Sequence, residues 1–549
     1  MLQQKIIRRL LAQRASRSPM ASRTFIHHIT YTPNSRPQLP FLSTPSKKPV
    51  QARYLTTETK KWIKHEVLLG FRYTFVLWGV ILGVLVIYWS VNQEVLERKF
   101  PSPHEWSFLT RVYFRGAIQE PNRPELLRVD WVRVIDTALK TLRRLEDPNV
   151  DGADVKELVE GSVYIDGVGK LGLDITAKSE EWRRGYYETL MLTARAAEQL
   201  DGHVVDKIRR YVFPADMVLG PSNPHPKPIP LGAPSAPKEE DCEPAYEPAE
   251  NWYLRILTTK GFNSKQKMDA ALAYASFMDF KKMPDAAESM YRWALAIATE
   301  DLPEPLPYDP ETLALDEKAG NPSANLITAL TAFATHMASA GDVSAALPIF
   351  ASVLKARRNL PDHPPPSKRS ISRPSLYQTI LKFIQPPAYP PPPPDGTSPP
   401  WRDPQELCEE AGLGLYIGEI LFATRDQEGG IAWTREAVDG AEEQLRDVID
   451  EKGADAARKT CKECLSTGLY NWSTMAAKLA QEEAARKEAE KEKKAGSRFA
   501  LWSKAKEEEA EGGRWVAEEG VVRERIRRTR GLLEETTPQE NFLTALFKV

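Results

Sequence analysis

Residues 268–298 read M-D-A-A-L-A-Y-A-S-F-M-D-F-K-K-M-P-D-A-A-E-S-M-Y-R-W-A-L-A-I-A, and residues 327–357 read I-T-A-L-T-A-F-A-T-H-M-A-S-A-G-D-V-S-A-A-L-P-I-F-A-S-V-L-K-A-R. Laid together, the two stretches put Ala275 opposite Ala334, Met278 opposite Met337, Ala287 opposite Ala346, and Tyr291 opposite Phe350. Ala294 falls opposite Val353, a small departure between the copies. Small residues at these spacings let two helices of a hairpin approach closely, while the aromatic fills the gap beside them. Each stretch therefore predicts a pair of antiparallel helices.

The spacing of small, apolar and aromatic positions resembles the tetratricopeptide pattern. A degenerate third copy follows, with Gly418 and Leu421 on its first helix and Gly430 and Ala437 on its second; Thr434 takes the aromatic position, with Trp433 beside it. A single hairpin cannot bury its apolar face alone, so three in series predict a stack of hairpins. The expected fold is all-α: a single N-terminal transmembrane helix followed by a tetratricopeptide-like helical-hairpin solenoid with proline-rich insertions.

The transmembrane helix is expected over residues 73–93, Y-T-F-V-L-W-G-V-I-L-G-V-L-V-I-Y-W-S-V-N-Q, where no charge falls between Arg72 and Glu94. About 20 such residues cross a hydrocarbon core as a helix. Tyr73 at one end and Tyr88 and Trp89 near the other suit the headgroup boundary. Before it, no Asp or Glu occurs from Met1 to Thr57, whereas Lys5, Arg8, Arg9, Arg14, Arg17 and Arg23 are basic among many Ser and Thr. Leu2, Ile6, Ile7, Leu10 and Leu11 share one helical face, with Lys5, Arg8 and Arg9 opposite. Residues 1–54 thus read as a disordered mitochondrial presequence, cut between Tyr54 and Leu55.

Beyond the span, residues 125–215 are expected to form a helical pair preceding the repeats, one helix through Trp131, Ile135, Ala138, Leu142 and Leu145, the other from an N-cap at Ser179. Residues 216–250 read as a proline-rich loop, 251–358 as the clear repeats, and 359–400 as a proline-rich insertion. Within that insertion Pro386-Pro387-Ala388-Tyr389 matches a short proline–tyrosine ligand motif, and spacer is the expected role. Residues 401–549 hold the degenerate repeat and charged C-terminal helices, closed by an apolar capping segment at Phe542, Leu543, Ala545, Leu546 and Phe547.

Residue chemistry points away from catalysis. None of the eight histidines forms H-E-x-x-H or joins a Cys pair at zinc-finger spacing, so no metal or cofactor is expected. Phosphate-cradling glycine loops and the nucleophile elbow are absent too. Net charge of −1 and a pI near 6.8 give no field to attract nucleic acid. Four cysteines, Cys242, Cys408, Cys461 and Cys464, are too few for a disulfide framework. Cys461 and Cys464 share a helical face, and helix packing is their expected role over a redox pair.

Two binding features stand out. Gly79 and Gly83 form a G-x-x-x-G in the span, where a second transmembrane helix can approach. Stacked hairpins also create a concave surface, whose inward positions would hold Leu272, Ser276, Thr331, Thr335, Leu415 and Glu419. Without Lys, Arg and Asn there, no clamp for an acidic chaperone tail is expected. The segment Y-L-T-T-E-T-K-K-W-I-K-H-E-V running into F-R-Y-T-F-V-L-W-G, with the basic leader and the repeats, resembles the fungal tetratricopeptide adaptor subunits of the mitochondrial inner-membrane i-AAA protease complex. That resemblance implies a non-catalytic adaptor that binds unfolded clients and aids their degradation, with the AAA protease and a sister adaptor subunit as partners. It also implies an amino terminus in the matrix and a repeat domain in the intermembrane space. The alternative expectation is a scaffold or tethering factor for an inner-membrane assembly.

Overall fold

The structure, a computed structural model, describes residues 57–123, 129–158, 163–165, 169–229, 232, 234–300, 302, 305–316, 320–364, 389–424, 426–449, 451, 453–495 and 513–534. The expected presequence, the segment Pro386 to Ala388 and the apolar closing segment at 542–547 lie outside them. The chain divides into two compact units, residues 1–84 and 85–549.

Helix α1, Thr57–Lys99, runs through the boundary between the two units. It is long and apolar enough to cross a membrane, and none of its most apolar window is buried by the protein. The charge-free run 73–93 is thus the middle of a longer helix, whose leading turns hold the exposed Lys60, Lys61, Lys64 and Arg72. The Thr74 hydroxyl donates to the Gly70 carbonyl at 2.8 Å, so its polar group is satisfied within the helix.

The second unit is mostly helical: α2 Phe108–Gln119, α3 Trp131–Glu146, α4 Glu180–Gln199, α5 Ala249–Thr258, α6 Ser264–Phe280, α7 Pro284–Thr299, α8 Ala324–Ala340, α9 Val343–Arg358, α10 Pro404–Ala423, α11 Gln427–Val448, α12 Asp455–Ala495 and α13 Arg514–Leu533. Local chemistry starts and stops them. Asn263 and Gln266 form a reciprocal capping box on α6, Pro284 opens α7, and Ser323, Asp342 and Asp403 each cap a helix through a side-chain oxygen. Gly341, at φ 96°, ends α8 in the left-handed region that favours glycine. From α2 to α13 each helix packs on the next in sequence, and α6 also meets α8, as α10 meets α12.

The helical expectation holds with one correction: among the described residues seven short strands accompany the helices. β1 (Lys156–Glu157) pairs with β4 (Leu173–Asp174), and β2 (Val163–Ile165) with β3 (Gly169–Leu171). β5 (His203–Asp206) sits between β6 (Val212–Pro214) and β7 (Cys242–Pro244), all antiparallel. The region 216–250, expected as loop, therefore returns a strand to the sheet that begins at the end of α4. None of the strands exceeds four residues, too short for alternation to register in sequence.

Two cores divide the unit. One runs from Trp106 and Phe114 through α3 to α9 and ends at Leu413, Ile417 and Ile420 of α10. The other gathers Leu415, Val438, Leu445, Leu465, Trp472 and Val522 from α10 to α13. A disulfide joins Cys408 at the start of α10 to Cys461 in α12. The expected packing role is corrected for Cys461 alone, which pairs across 53 residues of sequence with a partner that only tertiary folding brings near, whereas Cys464 stays a buried free thiol.

Candidate functional site

The hairpin seams come first, because they position everything presented at the surface. Ala275, Ala287, Ala294, Ala334, Ala346 and Phe350 are fully buried, and Tyr291, Met278 and Ala437 nearly so. Met337 and Leu421 are half-buried. In the third hairpin the two helices meet at glycines: a Cβ on Gly418 would lie 2.7 Å from the Thr434 hydroxyl and 2.9 Å from the Gly430 carbonyl. A Cβ on Gly430 would in turn lie 2.6 Å from the Gly418 carbonyl. Backbone meets backbone here, and Thr434 stands beside the crossing where the sequence alignment expects an aromatic.

A polar knot joins the first two hairpins. Asp279 accepts from the Tyr291 hydroxyl at 3.1 Å and meets Nδ1 of the buried His336 at 2.9 Å. The Tyr291 ring stacks on Phe333 with centroids 6.1 Å apart. Burial first, and the Asp279 charge second, push the Tyr291 hydroxyl above its ordinary pKa, so it stays a neutral donor. Asp279 thus holds a residue of each hairpin at once, which suits a register pin between them.

The surface offered to a partner differs from expectation at several inward positions. Ser276 and Glu419 are exposed and Leu272 is half-buried, but the Thr331 and Thr335 hydroxyls turn back onto the carbonyls of Ile327 and Thr331. Leu415 is buried in the second core against α12, where a Cβ on Gly468 would come within 3.2 Å of it. The better-formed feature is a cleft of about 210 Å³ between α9, α10 and α11, floored by Leu354, Leu407 and Trp433. Arg358 crosses it, 5.8 Å above the Trp433 ring and bonded to Glu410 at 3.0 Å and Glu436 at 3.3 Å. The floor is apolar and the Glu410 and Glu436 carboxylates are already paired with Arg358, so the cleft suits an apolar side chain.

The proline-rich insertion is more than a spacer. Arg184 of α4 lies 4.2 Å over the Tyr389 ring and donates to the carbonyls of Pro390 at 2.6 Å and Pro391 at 2.9 Å. Farther along, Asn325 of α8 donates through Nδ2 to the Asp395 carbonyl at 2.9 Å and through its backbone N–H to the Gly396 carbonyl at 3.0 Å. A prolyl stretch has no N–H of its own, so its carbonyls are read by donors such as these. Tyr389, the tyrosine of the expected ligand motif, is thus engaged within the chain.

Among the described residues no group of three or more His, Cys, Asp or Glu is placed to hold a metal ion. Cys464 is a buried free thiol, pushed up to about 12 by burial and hence weakly nucleophilic. Gly79 and Gly83 have open space where a Cβ would project, on the exposed stretch of α1. No protein-family model and no curated protein matches this sequence.

Proposed function

We propose that this chain is a single-pass mitochondrial inner-membrane adaptor with a tetratricopeptide-like solenoid, which binds unfolded clients and brings them to a membrane AAA protease without catalysing a reaction itself. The observation that carries this reading is the ordered series of hairpins α6–α7, α8–α9 and α10–α11, each closed on small residues, in a chain whose α1 is an exposed apolar helix. The resemblance of the segment around residues 54–79 to the i-AAA adaptor subunits supplies the partners: the protease and a sister adaptor subunit. The cleft by Trp433 is suited to one client side chain, and Gly79 with Gly83 to a partner transmembrane helix.

The Cys408–Cys461 bond favours the topology in which the repeats face the intermembrane space, because disulfides persist in oxidising compartments and are rare where thiols are kept reduced. With the amino terminus in the matrix, protease added to mitoplasts digests the carboxyl-terminal domain; protection until detergent is added would overturn this topology. The adaptor role is tested by two variants in affinity purification from detergent-solubilised mitochondria. Gly79→Leu with Gly83→Leu is expected to recover less protease, while a chain lacking residues 264–358 keeps the protease yet slows client degradation. If client turnover is normal without the protein while one inner-membrane assembly dissolves, the function is that of a scaffold.

A further inference from the structure

Helix α2 carries its polarity the opposite way to a helix on the surface of a water-soluble domain. Its arginines point inward. Arg115, 3 % exposed, pairs with Glu97, also 3 % exposed, and Arg111 reaches the same carboxylate at 2.9 Å. Ser102 donates to Glu97 through its hydroxyl at 2.8 Å and its backbone N–H at 3.1 Å, and Gln93 accepts from Arg115 at 3.0 Å. The outward side of α2 instead presents Phe108 and Leu109, 55 % and 50 % exposed, then the half-buried Val112 and Tyr113 and the exposed Gly116. At positions 108, 112 and 116 this is one stripe along the helix, without a charge on it.

The Phe108 ring meets the Trp89 ring edge-on, with centroids 5.7 Å apart and planes at 73°. Trp89 belongs to the last turns of the charge-free run, where aromatic rings suit the headgroup level. The next exposed cation is Lys99, placed to meet lipid phosphate. We propose that α2 is an interfacial helix whose Phe108–Leu109 face lies in the headgroup–acyl boundary of the bilayer that α1 crosses. An apolar stripe facing water is unfavourable, whereas at this boundary its rings are buried and its inward charges stay paired with Glu97. The buried Glu97–Arg115–Arg111 cluster spans both arms of the corner between α1 and α2, so it sets which side of α2 faces outward.

This inference rests on reading α1 as a membrane span, and the test separates the two. The full chain carrying Cys242→Ser, with a nitroxide at Leu109→Cys, is placed in phosphatidylcholine vesicles, and collision with oxygen is compared with collision with a water-soluble nickel chelate. Leu85→Cys reports the span, and Ile208→Cys, 76 % exposed at the β5–β6 turn, reports water. The Leu109 probe is expected to favour oxygen over nickel severalfold more than the Ile208 probe does. If Leu85 reads as lipid and Leu109 as water, the interfacial helix is wrong and the span stands. If both read as water, both fall. A Leu109 probe shielded from oxygen and nickel alike would mean that a protein covers the face, which also overturns the proposal.

Discussion

At the scale of single residues, stability rests on positions where one carbon more or one charge less has nowhere to go. Ala287 and Ala346 are fully buried between paired helices, so Ala287→Leu or Ala346→Leu is expected to destabilise the protein by about 1–3 kcal/mol through overpacking. Gly418→Ala is expected to fall in the same range, about 1–3 kcal/mol, since its new carbon meets the Gly430 carbonyl as well as the Thr434 hydroxyl, and the backbone cannot give way. Ser276→Ala, on an exposed position, is the control and should stay within about 0.5 kcal/mol. Thermal midpoints of the detergent-solubilised chain check all four, and equal shifts for Ala287→Leu and Ser276→Ala would rule out this helix register. Glu97→Ala strands Arg115 and Arg111 without their carboxylate and is expected to cost about 3–5 kcal/mol on the same measurement. Lys281, at the end of α6, bonds Glu250 at 2.8 Å and Asp201 at 3.3 Å, and its removal is expected to cost up to about 1 kcal/mol.

Among the elements, the disulfide between α10 and α12 gives the clearest expectation. Closing a loop of 53 residues restricts the unfolded chain by about 4 kcal/mol in the loop-entropy account, so a reductant should lower the thermal midpoint. Cys408→Ser should lower it equally and abolish the further effect of reductant, whereas Cys464→Ser should leave the reductant response intact. A midpoint indifferent to reductant would show that the bond is not formed in solution. Sequence pattern reaches some elements and not others for physical reasons. Ala275, Ala287, Ala334 and Ala346 advertise their seams because helix contact repeats every three or four residues along one element. Cys408 with Cys461, Arg184 with Tyr389 and Pro390, and Glu97 with Arg115 are partners across elements, and no local period encodes them. The three-residue strands β6 and β7 are likewise set by their neighbours more than by their own residues.

For the whole molecule, the load path is the consequence of that same covalent link. Tension applied from the carboxyl end of the described chain first peels α13, which fully buries only Val522 and Thr529, packs Trp515, Leu532 and Leu533 against the second core, and adds ion pairs such as Arg525 with Glu442. It then runs along α12 to Cys461, crosses the sulfur bridge to Cys408, and leaves toward residue 404. Hairpin α10–α11 lies inside the loop and carries no force. An unfoldase dragging on this end therefore bypasses the third hairpin while the bond holds, and the load passes on to α9 and the helices before it. In a single-molecule pulling experiment the oxidised chain should extend roughly 180 Å less than the reduced one, the contour of 53 residues at about 3.4 Å each. On the proposed adaptor role, the third hairpin would in this way keep its fold while the end of the chain is under load.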